Sequence, residues 1–395
     1  MISITEKQNC CGCGACRNAC PRNCITMAED EEGFLYPKVD ASCCVDCGLC
    51  SRVCVFQREE PLPKKETPCY AAVAKDDAIR AASSSGGVFS LLAGRILALS
   101  GVVYGVAMKE DMRSCAFLRV SEADELPKLQ GSKYLQADVG ETYREVKRDL
   151  EAGKQVLFSG VPCQIDALKL FLNREYENLY CAEVICHGTP SSLLWRKYVD
   201  YLEQKQERVI HSACFRSKAN GWRKNSLAID GKNIHYCQTA SADPYLMMFS
   251  RDYSLRPSCY HCQSKKLASG ADLTLGDFWG IWKTAPEMDD DRGTSLILVQ
   301  TQKGAELLRG IEGSIVSKEM PFAISIASNS AYNKSVSRPK ERDTFFTDLN
   351  AITFDEMIHK YCALSAKEKI KRSVKRTVLY KAIKKSFSDS KDRML

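Results

Sequence analysis

The chain has 395 residues, 45% of them hydrophobic and 27% charged, with a formal net charge of +7 and 21 cysteines. This length gives room for two or three domains with substantial cores. The positive charge is concentrated in residues 366–395 and is not interleaved with aromatic residues, which argues against nucleic-acid binding. Because the first residues lack the apolar core of an export signal, the many cysteines predict a cytoplasmic protein rather than a secreted disulfide scaffold.

Two cysteine runs with the same spacing lie within residues 1–57, which we interpret as one small domain. Each run has the pattern C-x-x-C-x-x-C-x-x-x-C, the spacing of two-cluster bacterial ferredoxins, in which the fourth cysteine begins a helix and binds the other [4Fe–4S] cluster. The predicted ligands are Cys10, Cys13, Cys16 and Cys54 for one cluster, and Cys44, Cys47, Cys50 and Cys20 for the other. The alternative is two zinc knuckles, which rarely use eight cysteines at this doubled spacing.

A charged, proline-rich segment at 58–68 is the predicted linker to a second domain. We divide the rest of the chain into regions 69–150 and 151–330 and a helical basic tail, 331–395. The first region has, in chain order, a predicted strand at 69–74, a helix from about 88 to 99, a strand at 101–108, a loop at 131–134 and a helix at 141–151.

The middle of the chain alternates strands and helices. The predicted elements are strands at 155–159 and 180–186, helices at 164–172 and 191–204, further strands over 211–237, and a turn at 276–280. Alternation of this kind is typical of a parallel α/β core. The predicted class is therefore α/β (or α+β): a small ferredoxin-like domain followed by a mixed, partly parallel α/β domain.

Four further cysteines form a third candidate site. Cys163 and Cys186 each follow a predicted strand, at the sheet edge where α/β proteins bind ligands, and Cys259 and Cys262 form a pair with two-residue spacing. Four thiols are the number that a cubane cluster needs. The alternative is that the first two are small buried residues and the pair is half of a zinc site, completed by His187 or His261.

Several short motifs together resemble the coenzyme F-420 hydrogenase/dehydrogenase beta-subunit family over roughly residues 67–330. They are Ser84-Ser85-Gly86-Gly87, Gly131-Ser132-Lys133-Tyr134, Gly160-Val161-Pro162-Cys163-Gln164, Cys186-His187-Gly188-Thr189-Pro190 and Cys259-x-x-Cys262 followed by Gly276-Asp277. The resemblance implies FAD, bound by both regions 69–150 and 151–330. It also implies a third iron–sulfur cluster beside the flavin, with Cys163, Cys186, Cys259 and Cys262 as its ligands.

The candidate flavin residues each have an alternative role. The chain has no G-x-G-x-x-G fingerprint, so Ser85, Gly86 and Gly87 before a helix are the candidate phosphate cradle, or an ordinary helix start. The loop residues Lys133 and Tyr134 would bind phosphate and stack on a ring, or lie in solvent. Gln164 and His187 are the candidate catalytic residues, although His187 would equally suit a structural role. The other candidate cofactor contacts are Gly160, Pro162, Gly188 and Thr189.

Two further features are harder to interpret from sequence. The motif Phe215-Arg216-x-Lys218-x-x-Gly221-Trp222 would suit an anionic substrate, or an ordinary solvated face. The tail predicts a basic helix over 367–385 whose apolar side is narrow. Such a helix can contact an anionic membrane, but packing on the protein or fraying is favoured.

The combined hypothesis is an iron–sulfur flavoprotein oxidoreductase. It would couple one-electron transfer, from ferredoxin or another one-electron carrier through [4Fe–4S] clusters, to two-electron chemistry at FAD. One alternative is a subunit that reduces or oxidises coenzyme F-420, and another is an electron-transfer subunit that feeds a partner enzyme. A zinc-stabilised binding module is a third. Nine cysteines, among them Cys11, Cys24 and Cys43, have no predicted role.

Overall fold

The computed structural model describes residues 1–58, 66–207, 209–231 and 234–363. The chain divides into a unit of Met1–Phe346 and a unit of Thr347–Leu395. Most of the predicted linker and the whole predicted basic helix at 367–385 lie outside the described residues. Across the described part of the chain, helices that combine the length and the apolarity needed to span a bilayer are absent.

The N-terminal 57 residues form two short helices and a hairpin. Their bounds are a 3-10 turn at Lys7–Asn9, α1 at Ala15–Ala19, β1 at Ile25–Glu29, β2 at Leu35–Val39 and α2 at Leu49–Arg52. Gly14 and Gly48 precede the two helices with φ of 70° and 73°, a conformation that glycine adopts without steric cost. The prediction that the fourth cysteine of each run begins a helix is wrong. Cys20 follows the end of α1, and Cys54 follows α2 by two residues, because each helix already begins after the glycine.

The remaining strands belong to two sheets. Their bounds are β3 Cys69–Ala74, β4 Val102–Met108, β5 Cys115–Val120, β6 Ala137–Asp138, β7 Val156–Gly160, β8 Leu179–Val184, β9 Ile210–Ser217, β10 Ser226–Gly231, β11 Ile234–Thr239, β12 Leu273–Asp277, β13 Ser295–Val299 and β14 Ile315–Glu319. The large sheet has the order β14-β3-β13-β12-β8-β7-β4-β5-β6, and β11-β10-β9 form a separate antiparallel sheet.

Helices connect and cover these strands. Their bounds are α3 Asp77–Ala82, α4 Val88–Ala98, α5 Thr142–Glu151, α6 Pro162–Leu172, α7 Ser192–Gln206, α8 Pro244–Ser250, α9 Ile281–Thr284, α10 Gln302–Arg309, α11 Phe322–Ala327, α12 Ser330–Asn333, α13 Arg342–Ala351 and α14 Phe354–Tyr361, with 3-10 turns that include Ala123–Leu129 and Pro257–His261.

The centre of the large sheet is parallel, and its flanks are antiparallel except for the parallel pair β5 and β6. Strands β12, β8, β7 and β4 pair in parallel, whereas β13 pairs antiparallel with both β12 and β3. The mixed, partly parallel α/β class predicted from the sequence is confirmed. The ends of β7, β8 and β12 therefore meet at one edge of the sheet.

At that edge, three local boundaries differ from the predicted ones. Helix α6 begins at Pro162, two residues early, because proline has no N–H to lose and its fixed φ suits the first helical position. Cys163 therefore lies in the helix rather than in a turn. Strand β8 ends at Val184, so Cys186 lies in the loop beyond it. Gly276 and Asp277 end β12 instead of opening the predicted turn.

Candidate functional site

A cleft of about 780 Å³ opens at this edge of the sheet. Its volume lies in the range of roughly 300–1,000 Å³ that is usual for cofactor sites. The candidate cofactor and catalytic residues that line it are Ser85, Gly87, Lys133, Tyr134, Gly160, Gln164, His187, Gly188 and Thr189. Gly86 and Pro162 lie outside its lining. Residues from both predicted regions, 69–150 and 151–330, thus converge on one cleft.

The glycine pair before α4 is explained first by close packing. A side chain at Gly86 would approach the Ala72 carbonyl oxygen to 2.2 Å, and the Gly86 N–H donates to Ser295 Oγ at 2.9 Å. Gly87 precedes α4 with φ of 95°, and a Cβ there would meet the Ala74 Cβ at 3.0 Å. Because glycine brings no capping side chain, the first N–H groups of α4 are left to donate into the cleft.

Lys133 and Tyr134 occupy defined positions rather than a solvated loop. The Lys133 ammonium donates to the carbonyls of Gln130, Lys128 and Gly131 at 2.7, 3.1 and 3.2 Å, which uses all three of its donors within its own loop. Burial lowers the pKa of Lys133 to about 8. The Tyr134 ring lies 5.0 Å from that of Phe249, centroid to centroid. Lys133 therefore holds the loop at 128–134, most of which lines the cleft, in its observed conformation.

The two candidate catalytic residues have different polar partners. Gln164 Oε1 accepts a hydrogen bond from the Val161 N–H at 3.0 Å, so this side chain caps α6. His187 Nε2 lies 2.5 Å from Asp252 Oδ1, and its ring packs edge-on against Phe249. A carboxylate at this distance orients the imidazole and fixes the proton on Nε2. Sequence reasoning missed Asp252, because no motif links it to a histidine 65 residues away.

The basic motif at 215–222 also contributes to the cleft. Arg216 is buried, lines the cleft and donates to Asp277 Oδ2 at 2.6 Å, while the Trp222 indole donates to Asp277 Oδ1 at 2.9 Å. Lys218 donates to the Ser85 carbonyl at 2.7 Å and ties the small sheet to the segment before α4. The alternative that this motif is an ordinary solvated face does not hold at Arg216, because its charge is paired with Asp277 inside the protein.

Directly behind the cleft lies a small cavity of about 50 Å³ that we call the inner site. Cys163, Cys186, Cys259 and Cys262 all line it, so the fold brings together four cysteines that are up to 99 residues apart. The cleft and the inner site share Cys163, Cys186 and His187 in their linings. Burial raises the pKa of Cys186 to about 12 and that of Cys262 to about 11.

A fifth cysteine, Cys11, reaches the inner site from the N-terminal module. It lines both the inner site and the cleft. The neighbouring thiols of Cys13 and Cys163 lower the pKa of Cys11. Its position beside Cys10 in the sequence gave no indication that it also reaches Cys163 in the second domain.

One of the two predicted ligand sets shares a cavity, and the members of the other are linked by charge interactions. Cys20, Cys44, Cys47 and Cys50 line one cavity of about 20 Å³, which we call the outer site, and Cys24 lies there too. Charge interactions link Cys16 with Cys10 and Cys54, and Cys54 with Cys10, while Cys16 also interacts with Cys50 of the outer site. The set Cys10, Cys13, Cys16 and Cys54 is called the middle site, because Cys11 connects it to the inner site.

The chemistry of these donor sets fits iron–sulfur cubanes better than single metal ions. Among the described residues, no group of three or more His, Cys, Asp or Glu side chains converges on one point as a mononuclear zinc site requires. A cubane is bound at its outer corners, so its ligands surround a cavity instead. Thiolates are also the ligands that such clusters prefer, and all three sets offer four of them.

Known proteins resemble parts of this chain. Residues 153–321 match the family described as coenzyme F420 hydrogenase/dehydrogenase, C terminus of the beta subunit. The F subunit of the F(420)H(2) dehydrogenase of Methanosarcina mazei is 28% identical over 192 residues, which is 45% of this chain. The match spans 53% of that relative, so the chain covers about half of its length.

Two further similarities concern the ferredoxin pattern and the fold. An uncharacterized ferredoxin of Methanocaldococcus jannaschii is 33% identical over 51 residues, 13% of this chain and 65% of that protein. A solved structure of the F420-reducing [NiFe] hydrogenase complex from Methanosarcina barkeri aligns over 66% of this chain and 84% of its own, with 16% identity and a TM-score of 0.46. The oxidoreductase class and the iron–sulfur, ferredoxin-type character predicted from the sequence agree with these matches.

Proposed function

We propose that this chain, a member of the coenzyme F420 hydrogenase/dehydrogenase beta-subunit family through residues 153–321, is the electron-transfer subunit of an oxidoreductase. The family match and the ferredoxin-type cysteine runs favour this alternative over an enzyme that acts on its own. The partner would be a second enzyme subunit, and the external carrier a ferredoxin or another one-electron protein.

The observation that carries the proposal is the row of three thiol sets that ends at the cleft. The outer site has an exposed thiol in Cys47, and Cys16 of the middle site interacts with Cys50 of the outer site. Cys11 interacts with Cys13 of the middle site and with Cys163 of the inner site. The inner site shares Cys163 and Cys186 with the cleft. A route for electrons from the surface to the cleft therefore needs no mobile carrier inside the protein.

The residues proposed to hold the clusters are the four cysteines of each site. Clusters bound there would supply one-electron transfer, and FAD in the cleft would supply the exchange between one-electron and two-electron steps. The protein's own contribution is to line the inner site with buried side chains, among them Leu267 and Tyr332.

The proposal of FAD rests on the shape and polarity of the cleft. The N-termini of α4 and α6, each a helix of 11 residues, open into it through Val88 and Gln164. Helix N-termini offer free N–H groups and partial positive charge to a phosphate. The proposal of FAD is thus separate from that of the clusters, because it depends on the cleft rather than on the thiol sites.

His187 is proposed to hold and move a proton at the wall that the cleft shares with the inner site. With Nε2 held by Asp252, the Nδ1 atom is the ring position left to exchange a proton. Gln164 is proposed to position the first turn of α6, and with it Cys163, through its cap on Val161. In these roles, the side chains between the cleft and the inner site would provide a proton acceptor next to the proposed path of the electrons.

The experiment is anaerobic purification with iron, sulfide and flavin quantified on the same sample. We expect about twelve irons and twelve sulfides per chain, as three cubanes require, together with one FAD. Zinc in place of iron would overturn the electron-transfer proposal. Full iron without flavin would retain the electron-transfer role and remove FAD from it.

A second measurement distinguishes an independent enzyme from one part of a larger enzyme. The purified chain is mixed with reduced ferredoxin and a soluble two-electron acceptor such as coenzyme F420. We expect the clusters to be reduced rapidly, with turnover of the acceptor only when the partner subunit is added. Full turnover by the chain alone would support the independent oxidoreductase instead.

A further inference from the structure

Arg256 is a buried cation between the middle and inner sites. It is 1% exposed and immediately precedes the 3-10 turn Pro257–His261, which carries Cys259. Its N–H donates to the Thr189 carbonyl at 2.9 Å, and its carbonyl accepts from the Cys259 N–H at 2.9 Å. The backbone of Arg256 is thus part of the wall of the inner site.

The side chain of Arg256 reaches across to the middle site. Its guanidinium donates from Nε to the Cys10 carbonyl at 2.7 Å and from Nη2 to Cys10 Sγ at 3.5 Å. The other contacts are with the Leu35 carbonyl at 3.0 Å and Gln136 Oε1 at 3.3 Å. The Tyr36 ring lies under the guanidinium at 4.1 Å, which leaves the group little freedom to rotate away from Cys10.

The charge of Arg256 has no carboxylate to balance it. Among the ion pairs of the described residues, none includes Arg256, whereas the other fully buried arginine, Arg342, is paired with Glu32 through both of its Nη atoms. A buried cation without an anionic partner is strongly unfavourable. A cubane held by four thiolates is a net anion, so a cluster at the middle site would be the missing partner.

We propose that Arg256 is a positioning residue that raises the reduction potential of the cluster at the middle site. This inference rests on the proposed function, since it requires a cluster there. One-electron reduction adds negative charge to the cluster, and a guanidinium that donates to a ligand sulfur stabilises the reduced form more than the oxidised form. Arg256 therefore makes the middle site the place where an electron rests between the surface and the cleft.

The test is a redox titration of the anaerobically prepared full chain, followed by electron paramagnetic resonance, for wild type and Arg256→Gln. We expect one of the three cluster signals to shift to a more negative potential, by about 59 mV for each tenfold loss in its reduction equilibrium constant. The other two signals should keep their potentials. Iron content, measured on the same samples, shows whether the middle cluster is still bound.

Two further variants make the result decisive. Arg342→Gln removes a buried arginine whose contacts include no cysteine, and should leave all three potentials unchanged. If Arg256→Gln loses iron, Arg256→Lys replaces it: lysine keeps the charge but loses the fixed N–H donor to Cys10 Sγ, so we expect a smaller shift that is still negative. Three unchanged potentials with full iron, in the Gln variant or in the Lys variant that replaces it, would overturn the inference and leave the proposed function intact. Absence of clusters from wild type would overturn the proposed function itself.

Discussion

The outer and inner sites offer the same number of thiols in very different surroundings. At the outer site, Cys47 is exposed, and the neighbouring Val45 and Leu49 are also exposed at 61% and 37%. At the inner site, each of the four thiols is only partly exposed and lines a cavity that adjoins the cleft. A site with an exposed thiol can exchange electrons with a separate protein, whereas the inner site is placed to exchange them with a group bound in the cleft.

The two sites also differ in how the sequence builds them. Three outer cysteines come from a single loop and short helix, Cys44 to Cys50, and glycine turns are enough to hold them. The inner cysteines come from α6, from the loop after β8 and from the 3-10 turn Pro257–His261. The inner site thus depends on the complete sheet, and the outer site on a local motif.

The largest expected effect is loss of the proposed inner cluster. Cys259→Ala should remove about one third of the iron and should stop electron transfer from ferredoxin to the cleft, because a cubane without one ligand is lost or altered. Iron analysis and stopped-flow spectra measure the two effects. The matched control is Cys237→Ala, which removes an exposed thiol on β11 and should change neither. An unchanged iron content in the Cys259 variant would contradict the inner cluster.

A cysteine-to-alanine change at the outer site should distinguish the entry of electrons from ferredoxin from the reduction of the flavin itself. Cys47→Ala should also remove about one third of the iron and slow the reduction of bound flavin by ferredoxin. Direct chemical reduction of the flavin should remain at the wild-type rate, since the inner site and the cleft are untouched. If ferredoxin reduces the flavin equally fast in this variant, electrons do not enter through the outer site.

A smaller effect is expected for the glycine before α4. Gly87→Ala should cost roughly 1–2 kcal/mol of stability, because its φ of 95° is unfavourable for alanine. It should also weaken flavin binding while the clusters of the N-terminal module remain. Denaturant unfolding and flavin retention on a desalting column measure the two effects.

The control lies in the same helix. Gly94 is in the middle of α4, with open space where an added Cβ would lie, so Gly94→Ala should stabilise the protein by about 0.5–1 kcal/mol and keep the flavin. Equal stability and equal flavin retention in the two variants would show that the start of α4 does not shape the cofactor site.

The smallest expected effect concerns the basic tail. All three thiol sites and the cleft lie within Met1–Phe346, so the residues after 366 follow them in the chain. A chain that ends at Ala366 should therefore keep wild-type amounts of iron and flavin, measured after anaerobic purification. Loss of flavin from this shortened chain would show that the cleft depends on residues after 366.

Local patterns made the strands, the ferredoxin runs and the order of the motifs predictable. The cysteine spacing predicted that Cys20 belongs to the outer set. In the structure, Cys20 and Cys47 line one cavity although they are 27 residues apart. Contacts between distant segments were not predictable. Asp252 contacts His187 because the loop after α8 packs on the loop after β8, and Arg256 contacts Cys10 because the same loop packs on the N-terminal module. No residue pattern encodes either packing.

Boundaries at the sheet edge were predicted less well for a related reason. The sequence placed Cys163 in a turn because glycine and proline precede it, but proline at the first helical position extends α6 over that turn. The hydrogen bonds of Lys133 were also beyond the sequence, because their acceptors are backbone carbonyls, which every residue type provides.

The contribution of Arg256 to the middle site has a consequence for the order of assembly. Ribosomes add about 5–20 residues per second, so roughly 10–40 s separate the synthesis of Cys54 from that of Arg256. During this interval a nascent chain has all the thiols of its outer and middle sites but lacks the cation that neutralises the latter. We therefore expect iron to enter the outer site first, and the middle and inner sites to be filled only after the segment carrying Arg256 and Cys259 has docked.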